Sequence, residues 1–244
     1  MKQGIFTVKE NIRIAKNVFR MRLEGDCSDI TRPGQFINIK LDGKFLRRPI
    51  SVCDVEGDTV TVIFKVVGSG TEIMSALPCG SELDILTGLG NGYDTSVSGE
   101  RVLLLGGGVG VPPLYLLAKK LISEGKSVTA VLGFNTADEV FYENEFKALG
   151  AAVTVATADG SRGVKGFVTD ALPESYSYFY TCGPEPMLKA IFKATKTSGQ
   201  FSFEERMGCG FGACMGCSCK TVTGYKRICK DGPVLLKEEI LWEN

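Results

Sequence analysis

Histidine does not occur anywhere in the 244 residues. Its absence excludes Ser-His-Asp and Cys-His catalysis, zinc fingers with paired cysteine and histidine ligands, histidine-ligated haem and Rieske clusters. Any metal must be held by cysteine, carboxylate or carbonyl groups. Net charge is absent too, since 28 basic residues balance 28 acidic ones. A broad nucleic-acid footprint needs clustered Lys and Arg, so none is expected. A long uninterrupted apolar run is also missing. The most apolar stretch, Val102 to Ala118, is broken by four glycines and two prolines, and it reads as strand, turn and helix rather than as a membrane span. The opening MKQGIFTVKENIRIAK lacks the apolar core of a signal peptide and reads as mature protein.

Cysteine and glycine are plentiful, at nine and 30 residues. A secreted disulfide scaffold would be shorter, would carry a signal and would have an even cysteine count. A reducing cytoplasm is therefore expected. With 44% hydrophobic residues the chain can bury a core. Its length allows one large domain or two small ones with an appended module.

Three blocks follow along the chain. Residues 1–98 carry short apolar runs, such as Phe36-Ile37-Asn38-Ile39 and Val60-Thr61-Val62-Ile63-Phe64, bounded by turn formers. They predict a sandwich or barrel, with one short helix over Glu72–Leu77. In 99–200 the pattern alternates. Strands are predicted at Arg101–Leu105, Ser127–Leu132, Ala152–Ala156 and Tyr176–Thr181, and helices at Pro113–Ser123, Phe141–Leu149 and Pro186–Thr197. This alternation implies a parallel, Rossmann-like α/β sheet. Residues 201–244 are cysteine-dense and too few to build a large core, so they predict a small module stabilised by metal or disulfides.

Within that module Cys209, Cys214 and Cys217 have the spacing C-x4-C-x2-C, and Cys229 follows twelve positions later. This is the plant-type [2Fe-2S] pattern. Three thiolates must converge on one small cluster, and the interleaved glycines let backbone N–H groups turn toward its sulfurs. A structural zinc site and free thiols are the alternatives, although zinc knuckles usually supply two C-x2-C pairs. Cys219 is a fifth thiol, given no ligand role because the spacing is complete without it. Cys27, Cys53 and Cys79 are read as small core residues.

Two glycine turns each follow a strand and open a helix. Gly106-Gly107-Gly108-Val109-Gly110 precedes Val111-Pro112-Pro113, and Cys182-Gly183-Pro184 precedes Glu185-Pro186-Met187. Such turns admit a dinucleotide pyrophosphate, or serve packing alone. In the first block Arg48-Pro49-Ile50-Ser51 is followed by Ile63-Phe64-Lys65 and by Gly68-Ser69-Gly70-Thr71. Arginine can fork a phosphate and serine can bond a flavin edge, but Arg-Pro before an alternating strand is commonly a plain strand edge.

The order RPIS, GSGT, GGGVGVPPL, CGPEPM resembles the ferredoxin-reductase superfamily, which pairs an FAD-binding β-barrel with a nicotinamide-binding α/β domain. The cysteine block with the trailing CKDGPV resembles the electron-transfer subunits of class 1B dihydroorotate dehydrogenases. The resemblance spans essentially the whole chain. It implies that Arg48, Pro49, Ile50, Ser51, Ile63, Phe64, Lys65, Gly70 and Thr71 contact FAD. It implies that Gly106, Gly107, Gly108, Val109 and Gly110, with Cys182, Gly183 and Pro184, face NAD(H), and that Cys209, Cys214, Cys217 and Cys229 hold the cluster. It favours NAD over NADP, although Ser161-Arg162 could meet a 2′-phosphate. It further implies a cytoplasmic heterotetramer, with two copies of an FMN-containing catalytic subunit that oxidises dihydroorotate to orotate. Electrons would then pass through [2Fe-2S] and FAD to NAD+. No general base with a supporting constellation stands in this chain, which suits that division of labour. The competing readings are an FAD/[2Fe-2S] subunit of a ferredoxin–NADP or sulfide reductase, a hydrogenase diaphorase subunit, and a zinc-stabilised nucleotide-binding module without turnover. Phe203 and Met207 stand close enough to the cysteines to cover a flavin face, though a core role fits both.

Overall fold

The computed structural model describes residues 1–242, so the last two residues of the 201–244 block lie outside the described residues. Six strands close an antiparallel barrel: β1 (Lys2–Ala15), β2 (Val18–Glu24), β3 (Phe36–Ile39), β4 (Arg48–Glu56), β5 (Thr59–Lys65) and β6 (Glu82–Leu89), in the order β1-β2-β5-β4-β3-β6. Alternation sets which side chains enter it. Val60, Val62 and Phe64 of β5 point into the barrel, with Ile37 and Ile39 of β3. Ile63 points out, into a core shared with the second layer. One helix, α1 (Ser69–Ser75), crosses between β5 and β6 and starts earlier than its sequence suggests. Its start is fixed by the Thr71 hydroxyl, which accepts the Val67 and Gly68 N–H groups at 2.9 and 3.2 Å.

The α/β part contains β7 (Arg101–Gly107), α2 (Pro112–Ser123), β8 (Ser127–Phe134), α3 (Glu143–Ala148), β9 (Ala152–Thr157), β10 (Val164–Lys165), β11 (Tyr178–Cys182), α4 (Glu185–Ala194) and β12 (Gly199–Ser202). Beyond them come a hairpin, β13 (Ser218–Thr221) and β14 (Gly224–Arg227), and finally β15 (Val234–Leu236). The seven-stranded sheet has the order β10-β9-β8-β7-β11-β12-β15. Its pairings are parallel except the last, where β15 runs antiparallel to β12. β7 is buried on both faces, as a central parallel strand must be, which explains its unbroken apolar run. The strand and helix order expected for this region is present, with ends displaced by at most three residues. β12 lies across the 200/201 division, and β15 returns the cysteine-rich segment to this sheet.

The layers share side chains. Val18, Cys53 and Ile63 of the barrel join the core built by Leu114, Leu117, Ala118 and Leu121 of α2. Lys119 donates to both Asp54 carboxylate oxygens at 3.1 Å, and the Tyr93 hydroxyl donates to the Thr181 carbonyl at 3.1 Å. The cysteine-rich segment packs Cys217, Ile228, Cys229 and Leu235 on Phe36, Leu86 and Leu89 of the barrel wall. Among the described residues no helix is long and apolar enough to cross a membrane.

Candidate functional site

The four spaced cysteines gather as two pairs. Cys209 Sγ accepts from the Ala213 and Cys214 N–H groups at 3.2 and 3.5 Å. Cys214 Sγ accepts from those of Cys209 and Gly216, each at 3.5 Å. Cys217 Sγ accepts from the Cys229 N–H at 3.4 Å. Among the described residues no group of three or more His, Cys, Asp or Glu side chains converges on one point. Two thiol pairs suit two metal atoms with two thiolates each better than one zinc ion, which wants four thiolates around a single centre. Burial opposes ionisation of Cys209, but the N–H groups of Phe211, Cys214 and Ala213 outweigh it and lower its pKa. Burial, then the neighbouring Cys217, push the Cys229 thiol up. A buried thiol so placed ionises readily only with a cation beside it.

Outer support comes from Arg227, which donates to the Gly212 carbonyl at 2.9 Å and through Nε to Asp231 at 2.8 Å. Cys214 is exposed, while Cys217 and Cys229 are buried against the barrel. The module thus shows solvent one thiol pair more than the other. Cys219 sits in β13, half-buried beside the same apolar cluster, and burial raises its pKa. Cys27 and Cys53 are buried as expected, but Cys79 is exposed: it follows Pro78 in the turn before β6, and its thiol lies 3.3 Å from the Lys9 carbonyl. Phe203 packs on Phe201 and Trp242, and Met207 on the Cys217 cluster, so both have packing roles.

On β4, Pro49 and Ser51 stand directly opposite Asn38 and Phe36 of β3, on the barrel's outer face. Arg48 lies at the strand's start with its guanidinium over Gly70, so close that a Cβ there would collide with it. The first turn of α1 and this cation together could hold an anion. Sequence reading passed over Lys44, whose Nζ donates to the Ser69 hydroxyl at 2.8 Å and adds a third positive element. Only the chemistry of its neighbour Ser69 could have pointed to it. On β5, Lys65 reaches across to Glu139 at 2.9 Å, while the Phe64 ring is buried and stacked 6.0 Å from Phe19. Phe64 can therefore meet a ligand only through its backbone.

The two glycine turns meet at the carboxyl ends of adjacent strands β7 and β11. A Cβ on Gly110 would lie within 2.6 Å of Gly183 N and closer still to the Cys182 carbonyl. Gly107 and Gly183 are likewise filled against Met187. Packing accounts for these glycines. Gly108 differs: its φ is +51° and nothing stands within 4 Å of the position of a Cβ. Gly108 and the exposed Val109 thus leave the turn open on this side. Pro112 and Pro113 remove two of the free N–H groups of α2, so the preceding turn must supply the donors. Cys182 is half-buried and its thiol is pushed up to about 12 by burial, so it is a neutral wall rather than a nucleophile.

At the carboxyl end of β9, Arg162 pairs with Glu143 at the start of α3. The Thr157 hydroxyl holds the Arg162 backbone at both ends, with contacts of 2.8 and 3.0 Å. Ser161 accepts the Ala137 N–H at 2.8 Å and bonds Asp159. The Ser-Arg pair is therefore engaged within the protein.

Residues 204–241 match the family model of the iron-sulfur cluster binding domain of dihydroorotate dehydrogenase B, and 104–193 that of the oxidoreductase NAD-binding domain. The chain is 45% identical to the dihydroorotate dehydrogenase B (NAD(+)) electron transfer subunit of Fusobacterium nucleatum, over 98% of this chain and 99% of that one. It is 44% identical to the same subunit of a Geobacillus species, over 99% of each. A solved structure of an NADH-dependent reduced ferredoxin-NADP oxidoreductase shares 32% identity and a TM-score of 0.88, over 98% of this chain and 90% of that one.

Proposed function

Because this chain belongs to the family of electron-transfer subunits of dihydroorotate dehydrogenase B, we propose that it carries electrons between a catalytic partner subunit and NAD+, with FAD and a [2Fe-2S] cluster as its own carriers. Cys209 and Cys214 form one thiol pair for the cluster, and Cys217 and Cys229 the other. Arg48, Pro49, Ile50 and Ser51 form the FAD face, with Ile63, the Phe64 backbone and Lys65 beside it and Gly70-Thr71 at its phosphates. NAD(H) lies against Gly106–Gly110 and Cys182–Pro184, with Gly108 and Val109 at the pyrophosphate. Residues 1–98, 99–200 and 201–244 are the three corresponding units.

When bound, FAD supplies the exchange between a two-electron hydride and the single electrons that an iron-sulfur cluster carries. The protein's own part is placement. The Cys182–Pro184 turn closes one wall of the nicotinamide site with a neutral thiol, and the Lys65–Glu139 pair ties the flavin strand to the α/β layer. The catalytic partner is an FMN subunit that oxidises dihydroorotate to orotate, in a cytoplasmic assembly of two copies of each chain.

The observation that carries this reading is the docking of the Cys217–Cys229 pair on the barrel wall at β3 and β6, with β3 one strand from the RPIS segment of β4. An anaerobic visible spectrum recorded before and after NADH tests it. Flavin and broad iron-sulfur bands that both bleach are the expected result. A colourless, zinc-containing sample that stays unchanged after reconstitution with FAD, iron and sulfide would leave the zinc module in its place. A second reading, a reductase for ferredoxin, is favoured by the 32% identical solved structure. Bleaching by dihydroorotate only when the FMN partner is added separates the two.

The Arg162–Glu143 pair yields a further expectation. Glu143→Gln frees Arg162 for a 2′-phosphate, and one charge-assisted hydrogen bond corresponds to roughly a tenfold rise in kcat/KM for NADPH relative to NADH. Adding Arg162→Ala should cancel the gain. The same variant reports pH dependence. The Lys147 hydrogen bond and the Arg162 charge hold the Glu143 carboxyl below its ordinary 4.5, against the opposing effect of burial. Its stabilising contribution is therefore complete above that value and is lost as pH falls below it. Thermal melts of wild type and Glu143→Gln should differ at pH 7 and converge as the pH falls through the lowered Glu143 pKa.

A further inference from the structure

Cys229 lies in a tight turn. The N–H groups of Lys230, Asp231 and Gly232 all donate to the Arg227 carbonyl, at 3.0, 2.7 and 3.2 Å. Arg227 closes the turn again through its side chain, donating to the two Asp231 carboxylate oxygens at 2.8 and 3.1 Å. A closed turn still needs an anchor, or its thiol moves with it. Asn91, just past β6, supplies one. Its N–H donates to the Gly232 carbonyl at 2.7 Å. Its Nδ2 donates to the Asp231 and Val234 carbonyls at 3.3 and 2.8 Å, and its Oδ1 accepts the Val234 N–H at 3.1 Å. β15 begins at Val234 and ends the sheet, so among the described residues its outer edge has no strand to pair with. A side-chain amide presents a donor and an acceptor together, as the backbone does, and here it takes that strand's place. The residue before it is fitted as closely. Gly90 has φ +79°, and a Cβ there would lie 2.6 Å from Pro233 Cδ. The Gly90 carbonyl accepts from Nε2 of the buried Gln35 at 3.2 Å. Leu89, which ends β6, packs in the cluster that holds Cys217 and Cys229. Three successive residues leaving the barrel thus meet the turn of Cys229 and the chain that follows it.

We propose that Asn91 is a positioning residue for the cluster: it fastens the turn that carries Cys229 to the barrel, so that the fourth ligand is located by the flavin-bearing unit and not by the loop that carries Cys209, Cys214 and Cys217. This rests on the FAD and cluster assignment above. Contacts that support a metal ligand typically weigh 10–100-fold in metal affinity. Asn91 acts one step further out, through the backbone on the far side of the ligand's turn. The consequence is registration: the amide that holds Cys229 also fixes the cluster against the barrel wall.

The test uses the full-length protein with both carriers loaded. Asn91→Ala removes every side-chain bond to the segment. Asn91→Asp has the same shape and keeps the acceptor for the Val234 N–H, but it turns a carboxylate oxygen on two carbonyl oxygens. It carries the test if the alanine variant does not fold. Tyr93→Phe is the control. Tyr93 stands two residues further on, and its hydroxyl donates to the Thr181 carbonyl rather than to the cysteine-rich segment. Its loss shows how far reduced stability alone moves the readouts. These are the rate at which a chelator strips iron, the EPR signature of the reduced cluster, flavin content and Tm. The Asn91 variants should lose iron roughly tenfold faster than wild type and show a shifted signature, with FAD retained. Tyr93→Phe should lower Tm and leave iron loss and signature at their wild-type values. Wild-type iron loss and signature in the Asn91 variants overturn the proposal. So does a Tyr93→Phe variant that matches them in both, since the effect is then one of stability alone. A wild-type chain that takes up no iron and sulfide overturns the parent assignment instead.

Discussion

Cys217→Ser and Cys229→Ser are each expected to cut bound iron per chain by about tenfold or more, since removal of a metal ligand costs more than the 10–100-fold typical of its supporting contacts. Both thiols are buried on the barrel wall, where no solvent ligand can replace them. FAD content should stay near wild type, because the RPIS strand is held by β3 and β5 rather than by the cysteine loop. Cys219→Ser should keep its iron. That thiol lies in the β13–β14 hairpin, outside both pairs. Iron and sulfide assays with flavin quantitation on the same samples check all three. Equal iron loss in Cys219→Ser would mean that the ligand set is not the one assigned by spacing.

The second large effect separates two neighbouring glycines. Gly110→Ala drives a methyl group into the Cys182–Gly183 backbone, which cannot swing aside as a side chain could. Overpacking of this kind costs about 1–3 kcal/mol and should lower Tm by roughly 3–10 °C in a chain of this size. Gly108→Ala meets no atom, so its cost is confined to the left-handed backbone, about 1–2 kcal/mol. Its methyl group would instead project into the open space proposed for the dinucleotide. KM for NADH should rise roughly tenfold, the effect of losing about 1.4 kcal/mol of binding. The dissociation is the test: melting temperature falls most in the first variant, and nicotinamide affinity falls most in the second. Equal KM values for wild type and Gly108→Ala would remove the pyrophosphate from this turn.

Much of this was legible in the residues themselves. Alternation in Val60-Thr61-Val62 marks a stretch with one face in the barrel, while the unbroken run at Leu103–Leu105 is buried on both faces, and periodicity records that difference directly. Cysteine spacing likewise encodes loop geometry. Other features depend on distant partners. Gly199–Ser202 and Val234–Leu236 are strands because they pair with one another and with β11, and neither has a local pattern of its own. The glycine at 110 reads as a ligand contact in sequence, and its close approach to the Cys182–Gly183 backbone also requires a glycine there, a need no local pattern announces. The division of four thiols into two pairs, and the amide of Asn38 beneath one of them, arise where a barrel wall meets a loop 171 residues further along the chain. No local window contains both.

The antiparallel return of β15 has a consequence for how the protein is made. The cysteine-rich segment is a loop strung between β12 and β15, two neighbouring strands of one sheet, rather than a cartridge on a tether. A ribosome releases the barrel and the parallel strands first, and the thiols are clamped only when the last strand is laid on the edge. A graft of the cysteine motif into another scaffold would have to bring that edge with it.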